Sequence, residues 1–176
     1  MKYERPADSA NEATDVQEER LARLIRLAAR AFNRSLQLRL TTEGVTFGQW
    51  IFLRILWQED GLSQRELSER ANLTEPTAHT ALLRMVEQGL ITRENVKGNK
   101  RRQHAFLTPR GWELRERLEP LAIEANDIAV EGLSADELKI LRRALNVIIT
   151  NLERDEAEAA ARGMRMPPTR ITTSVL

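Results

Sequence analysis

None of the 176 residues is cysteine. That excludes disulfides, thiolate-bound metals and any thiol-based redox sensor. An apolar run of about 18 residues, the least a membrane-crossing helix needs, is also missing. The opening MKYERPADSANEATD has no apolar segment of the signal-peptide kind. A cytoplasmic protein with no membrane partner is expected. No glycine-rich phosphate loop occurs, and no paired carboxylates converge on a recognisable site. The two histidines, His79 and His104, do not stand at metal-ligand spacing from each other or from carboxylates. The reading is therefore neither an enzyme nor a protein that carries a metal or cofactor.

Net charge is scarce too, at +1, although 30% of residues are charged and 41% are hydrophobic. The length suits one compact domain or two small intertwined ones. With so small a total, attraction for nucleic acid would have to come from charge segregation. Between Arg84 and Arg110, seven basic residues (Arg84, Arg93, Lys97, Lys100, Arg101, Arg102 and Arg110) face two acidic ones, Glu87 and Glu94. That segment carries +5, so the remainder of the chain is net acidic.

Residues 1–14 are polar and aperiodic and read as a disordered tail. From Val16 an amphipathic helix follows, its stripe formed by Leu21, Leu24, Ile25, Ala28, Phe32 and Leu36. Arg20, Arg23, Arg26, Arg30 and Arg34 lie off the stripe and read as a solvated face. Residues 42–44 break this helix, and Thr46 caps the next, which carries Phe47, Trp50, Leu53, Leu56 and Trp57. Leu53 and Leu56 read as core, whereas Phe47 and Trp50 suit either core or a pocket wall.

Ser63-Gln64-Arg65-Glu66 is a capping box opening a short helix. Asn72-Leu73-Thr74 makes a turn, and Thr74 caps a second helix with Pro76 in its first turn. In that helix Ala78, Ala81, Leu82, Met85 and Val86 point inward. Pro76, Thr77, Thr80, Leu83 and Arg84 point outward, and Gly89 stops it. Two short helices around a tight turn make a helix-turn-helix, whose second helix reads base edges from its N-terminal half. Strand-like runs at residues 90–94 and 103–107, with Gly98-Asn99 between them, then predict a hairpin with a basic tip. The candidate DNA contacts are Ser63, Thr74, Pro76, Thr77, His79, Thr80 and Arg84 on the helices. Lys97, Lys100, Arg101 and Arg102 join them at the hairpin tip.

Thr108 caps a long helix containing Pro120. Gly132 ends it, and Ser134-Ala135-Asp136-Glu137 opens a last helix with a wide stripe of Leu138, Leu141, Leu145, Ile148 and Leu152. A unit of this size does not cover three such stripes, so a second chain is expected. The fold class is mainly α with a small β-wing: a winged helix-turn-helix unit (46–107) flanked by dimerisation helices at 15–45 and 108–156. A flexible tail is expected at 157–176.

The residues VTFGQWIFLRIL, LSQRELSERANLTEPTAHTALLRMVEQGLI and NKRRQHAFLTPRG resemble the MarR family of winged-helix regulators over about residues 16–154. The last piece is similar to the family's D-x-R…L-T-x-x-G signature, with Arg101, Leu107, Thr108 and Gly111 in place. The resemblance implies a homodimer on a pseudo-palindromic double-stranded operator, usually a repressor. It also implies release by a small anionic effector, a phenolic or other aromatic acid or an acyl thioester, near Phe32, Phe47 and Trp50. Asn99 stands where the family has aspartate, and Thr80 where arginine is common, so an operator sequence does not carry over. The other class considered is a winged-helix protein-interaction module without DNA binding. Arg101→Ala is expected to weaken DNA binding uniformly across sequences and to lower the slope of log affinity against log salt by roughly one. Thr77→Ala or Arg84→Ala should instead alter base preference. Binding titrations over a salt series on several duplexes separate these outcomes.

Overall fold

The computed structural model describes residues 9–95 and 103–165, with side chains from Leu21 onward. Six helices and a three-stranded sheet follow in the order α1 (Ser9–Thr42), α2 (Phe47–Gln58), β1 (Leu62–Ser63), α3 (Gln64–Arg70), α4 (Glu75–Glu87), β2 (Ile91–Asn95), β3 (Gln103–Leu107), α5 (Pro109–Ala129) and α6 (Ala135–Ala161). The mainly helical winged fold agrees with the expectation.

α1 starts at Ser9, inside the stretch read as a disordered tail. No proline or glycine occurs from Ser9 to Thr42, and Ala10, Glu12, Ala13 and Gln17 favour helix, so an established helix propagates backward without an apolar stripe. For the same reason α6 runs through the alanine-rich segment after Glu156 to Ala161, past the expected start of the second tail. Gly163, at φ 76°, then turns the chain.

Three capping boxes start helices as local chemistry requires. Thr46 pairs reciprocally with Gln49, Ser63 with Glu66, and Ser134 with Glu137. Thr74 is the exception: it occupies the cap position of α4 but makes no side-chain bond to the backbone. Pro76 removes one of the N–H groups such a cap would reach, and the Thr77 hydroxyl takes the Thr74 hydroxyl at 2.9 Å instead.

The strands are antiparallel in the order β1-β3-β2, with Leu62 opposite Ala105 and Arg93 also opposite Ala105 from the other side. β1 was not expected; two residues carry no periodicity. The core is built from α2 (Trp50, Phe52, Leu53, Ile55, Leu56), α3 (Leu67), α4 (Ala78, Leu82, Met85), the sheet and Leu114 and Leu118 of α5. Val86, expected on the inward stripe, lies at its edge and is exposed. α5 runs unbroken through Pro120. α6 buries none of its residues, and Ile140, Leu141, Leu145, Val147 and Leu152 are exposed along it.

The junction between α4, the sheet and α5 is tight. The Thr108 hydroxyl donates to the carbonyls of Gly89 (2.7 Å) and Leu90 (3.1 Å), and accepts from the Gly111 N–H. Trp57 Nε1 donates to the Gly111 carbonyl at 3.0 Å. A β-carbon on Gly111 would sit 2.2 Å from the Leu90 carbonyl oxygen, which is backbone and has no room to yield. Gly111→Ala should therefore destabilise the fold by roughly 2–3 kcal/mol, read by urea unfolding at fixed protein concentration.

Candidate functional site

α4 separates packing from display. Ala78, Leu82 and Met85 are fully buried, while Pro76, Thr77, His79, Thr80, Leu83 and Arg84 are exposed. The outward residues named from sequence thus share one accessible surface, with the half-buried Ser63 and Thr74 at its border. Thr80 bonds back to the Pro76 carbonyl at 3.1 Å, which orients its methyl and hydroxyl on the helix surface. The Arg84 side chain is exposed and makes no hydrogen bond among the described residues. Lys97, Lys100, Arg101 and Arg102 lie outside the described residues, in the connection from β2 to β3.

A polar cluster at the border of this surface was not read from sequence. Gln64, the first residue of α3, receives Arg93 Nη2 of β2 at 2.6 Å on its side-chain oxygen. The same oxygen contacts Nδ1 of His79 at 2.9 Å. One glutamine so joins α3, α4 and the base of the hairpin. A glutamine in a seven-residue helix has no periodic signal that would single it out.

A cavity of about 500 Å³ lies between α1, α2, α5 and the turn after α3. Phe32, Phe47 and Trp50, the three residues expected to meet a ligand, all line it. The sequence reading missed its polar members: Arg54, Arg70, Asn33, Asn72 and Asn126. Arg54 holds its guanidinium 5.7 Å from the centre of the Trp50 ring, a cation–π distance, and Trp50 stands edge-on to Trp57 at 5.6 Å. Arg70 pairs with Glu59 at 2.5 Å. Asn72 has φ 53°, and its side-chain oxygen is buried with no hydrogen-bond partner among the described residues. At the far end of α4, buried Gln49 of α2 donates to the Gln88 side chain at 2.6 Å. The turn leading into α4 thus forms part of the cavity wall, and the far end of the helix is bonded to α2, which also contributes lining residues.

At the N-terminus of α3, Glu66 Oε2 accepts from the Ser63 hydroxyl (2.6 Å) and from the Ser63 N–H (2.8 Å). Hydrogen bonding to the Ser63 side chain, then to its backbone, holds the Glu66 carboxyl below its ordinary value. A carboxyl lowered in the folded state stabilises the fold above the ordinary carboxylate range and loses that effect as pH falls through its lowered value. Ser63→Ala should raise the Glu66 titration toward the ordinary range in carboxyl-resolved NMR. It should also destabilise the fold by about 1 kcal/mol near neutral pH, with the difference shrinking in acid.

The geometry agrees with what is known of similar proteins. A MarR family model matches residues 43–102. The HTH-type transcriptional regulator TtmR of Methylorubrum extorquens is 31% identical over 140 residues, covering 80% of this chain and 68% of that protein. A MarR family protein of Mycobacterium tuberculosis, solved in complex with DNA, superposes with a TM-score of 0.63 at 26% identity, covering 73% of this chain and 96% of that one. A MarR family regulator of Listeria monocytogenes bound to a 26mer DNA gives a TM-score of 0.69 at 24% identity, over 83% and 97% of the two chains. With this winged architecture and these relatives, the chain belongs to the MarR family of transcriptional regulators.

Proposed function

We propose that the protein is a homodimeric repressor that reads a pseudo-palindromic operator and releases it when a small aromatic acid enters the cavity. α4 is the groove-reading helix, with Thr77, Thr80, Arg84 and His79 toward the bases. Ser63, Thr74 and Pro76 lie at the phosphate border. Lys97, Lys100, Arg101 and Arg102 supply backbone or minor-groove contacts. The DNA-bound relative from M. tuberculosis supports the choice of partner.

Dimerisation is supported by apolar surface that one chain leaves open. Leu21, Leu24 and Leu27 of α1, Ile123 and Ile128 of α5, and Ile140, Leu141, Leu145, Val147 and Leu152 of α6 are all exposed. Exposure on that scale marks an association surface. A two-fold pair would set two copies of α4 about one DNA turn, roughly 34 Å, apart. In this reading residues 15–45 and 108–156 form the dimerisation part and residues 46–107 the DNA-binding unit.

A single observation supports the effector reading: the turn that leads into α4 forms part of the cavity wall. Asn72 belongs to both the cavity and the turn that enters α4, and the Gln49–Gln88 bond holds the other end. The lining is aromatic with two arginines, which suits a flat anion. The volume takes a whole aromatic acid but only the acyl end of a thioester. Ligands are screened by thermal shift across aromatic acids and their thioesters, then added to the protein bound to its flanking genomic DNA. An aromatic acid should raise the melting temperature and lower operator affinity. Arg54→Gln should weaken that ligand by roughly 10- to 100-fold with operator affinity unchanged. Absence of salt-dependent DNA binding would instead favour a protein-interaction module.

A further inference from the structure

The Gln64 cluster determines which ring nitrogen of His79 carries the proton. A guanidinium only donates, so the Gln64 atom 2.6 Å from Arg93 Nη2 is the amide oxygen, and the orientation of that amide is settled. The oxygen has no proton to give. His79 Nδ1, 2.9 Å from the same atom, must therefore be the donor. In the neutral ring the other nitrogen, Nε2, is then bare and can only accept.

His79 is exposed and is the fifth residue of α4, in the half of the helix that a winged helix-turn-helix presents to base edges. A bare Nε2 has nothing to offer a phosphate; its lone pair would face an anion. In the major groove, guanine shows acceptors at N7 and O6 and thymine an acceptor at O4. Adenine N6 and cytosine N4 are amines. We infer that His79 is a specificity-determining residue whose Nε2 accepts a hydrogen bond from an exocyclic amine of adenine or cytosine. Gln64, fixed by Arg93, is the positioning residue that holds the required tautomer. This rests on α4 being the groove-reading helix.

Two measurements test it, both at about pH 8, above the usual titration range of imidazole. In nitrogen-15 NMR of the native protein, His79 should show a protonated Nδ1 and a bare Nε2. In Gln64→Leu the ring should return toward the Nε2–H form that histidine favours in water. A proton on Nε2 in the native protein overturns the inference, whatever the variant does. Next, each adenine and cytosine in a footprinted half-site is replaced singly by purine or pyrimidin-2-one, which lack the amine. At one position the native protein should lose about 3- to 10-fold in affinity, and His79→Ala should lose nothing further there. DNA binding that ignores every amine, or an equal loss in His79→Ala, overturns this inference alone. No salt-dependent binding by the native protein overturns the reading of α4 along with it.

Discussion

The first turn of α5 passes against the carbonyl of Leu90 with no space for a β-carbon between them, and much of the molecule is set by that approach. Leu90 follows the end of α4, so the contact fixes where the helix stops relative to the scaffold. Thr108 satisfies the carbonyls that the chain leaves open there, and Trp57 closes the junction from α2. The Gly111 carbonyl is buried and the Leu90 carbonyl partly so, and leaving either without a partner would be costly. Helix, sheet and scaffold consequently meet as one body, and the angle of α4 is inherited from the junction.

What could be read from the chain was local. Ser63 with Glu66, Ser134 with Glu137, and the stops at Gly89 and Gly132 each depend on residues within a few positions, and the helices they bound are in place. The inward set of α4 followed from its 3.6-residue period apart from Val86 at its margin. Failures had two physical sources. Helix propagation needs no apolar stripe, so the ends of α1 and α6 were placed too far inward. Tertiary partners leave no mark on spacing: β1 exists only because β3 pairs with it, and Thr74 yields its expected bond to a neighbouring hydroxyl. The cavity shows both sides. Its aromatic trio was named through family resemblance, whereas Arg54, Arg70 and Asn72 come from elements whose convergence no linear pattern records.

In the proposed function, a small effector in the cavity would act on a helix that does not line it. α4 is held near its start by the turn containing Asn72 and at its end by Gln88. A helix of 13 residues is about 20 Å long, so moving one attachment by roughly 1 Å would tilt it by a few degrees. Groove reading depends on hydrogen bonds that weaken steeply with misalignment, so a small tilt would be felt along the whole face. Among the described residues the buried side-chain oxygen of Asn72 has no hydrogen-bond partner, although the backbone of the turn is bonded through Asn72 and Leu73.

The division of α4 into a buried face and an exposed one has a consequence for how such a protein changes over time. Ala78, Leu82 and Met85 carry the packing, while the exposed Thr77, Thr80 and Arg84 side chains bond only within the start of the helix or to nothing among the described residues. Substitutions at these exposed positions should cost the fold little, and with α4 as the proposed groove-reading helix a lineage could drift from one DNA target to another without passing through unstable intermediates. His79 is the exception on that face, because its neighbours on α3 and β2 would have to change with it. Retargeting by evolution or by design should be easy at three positions and correlated at the fourth.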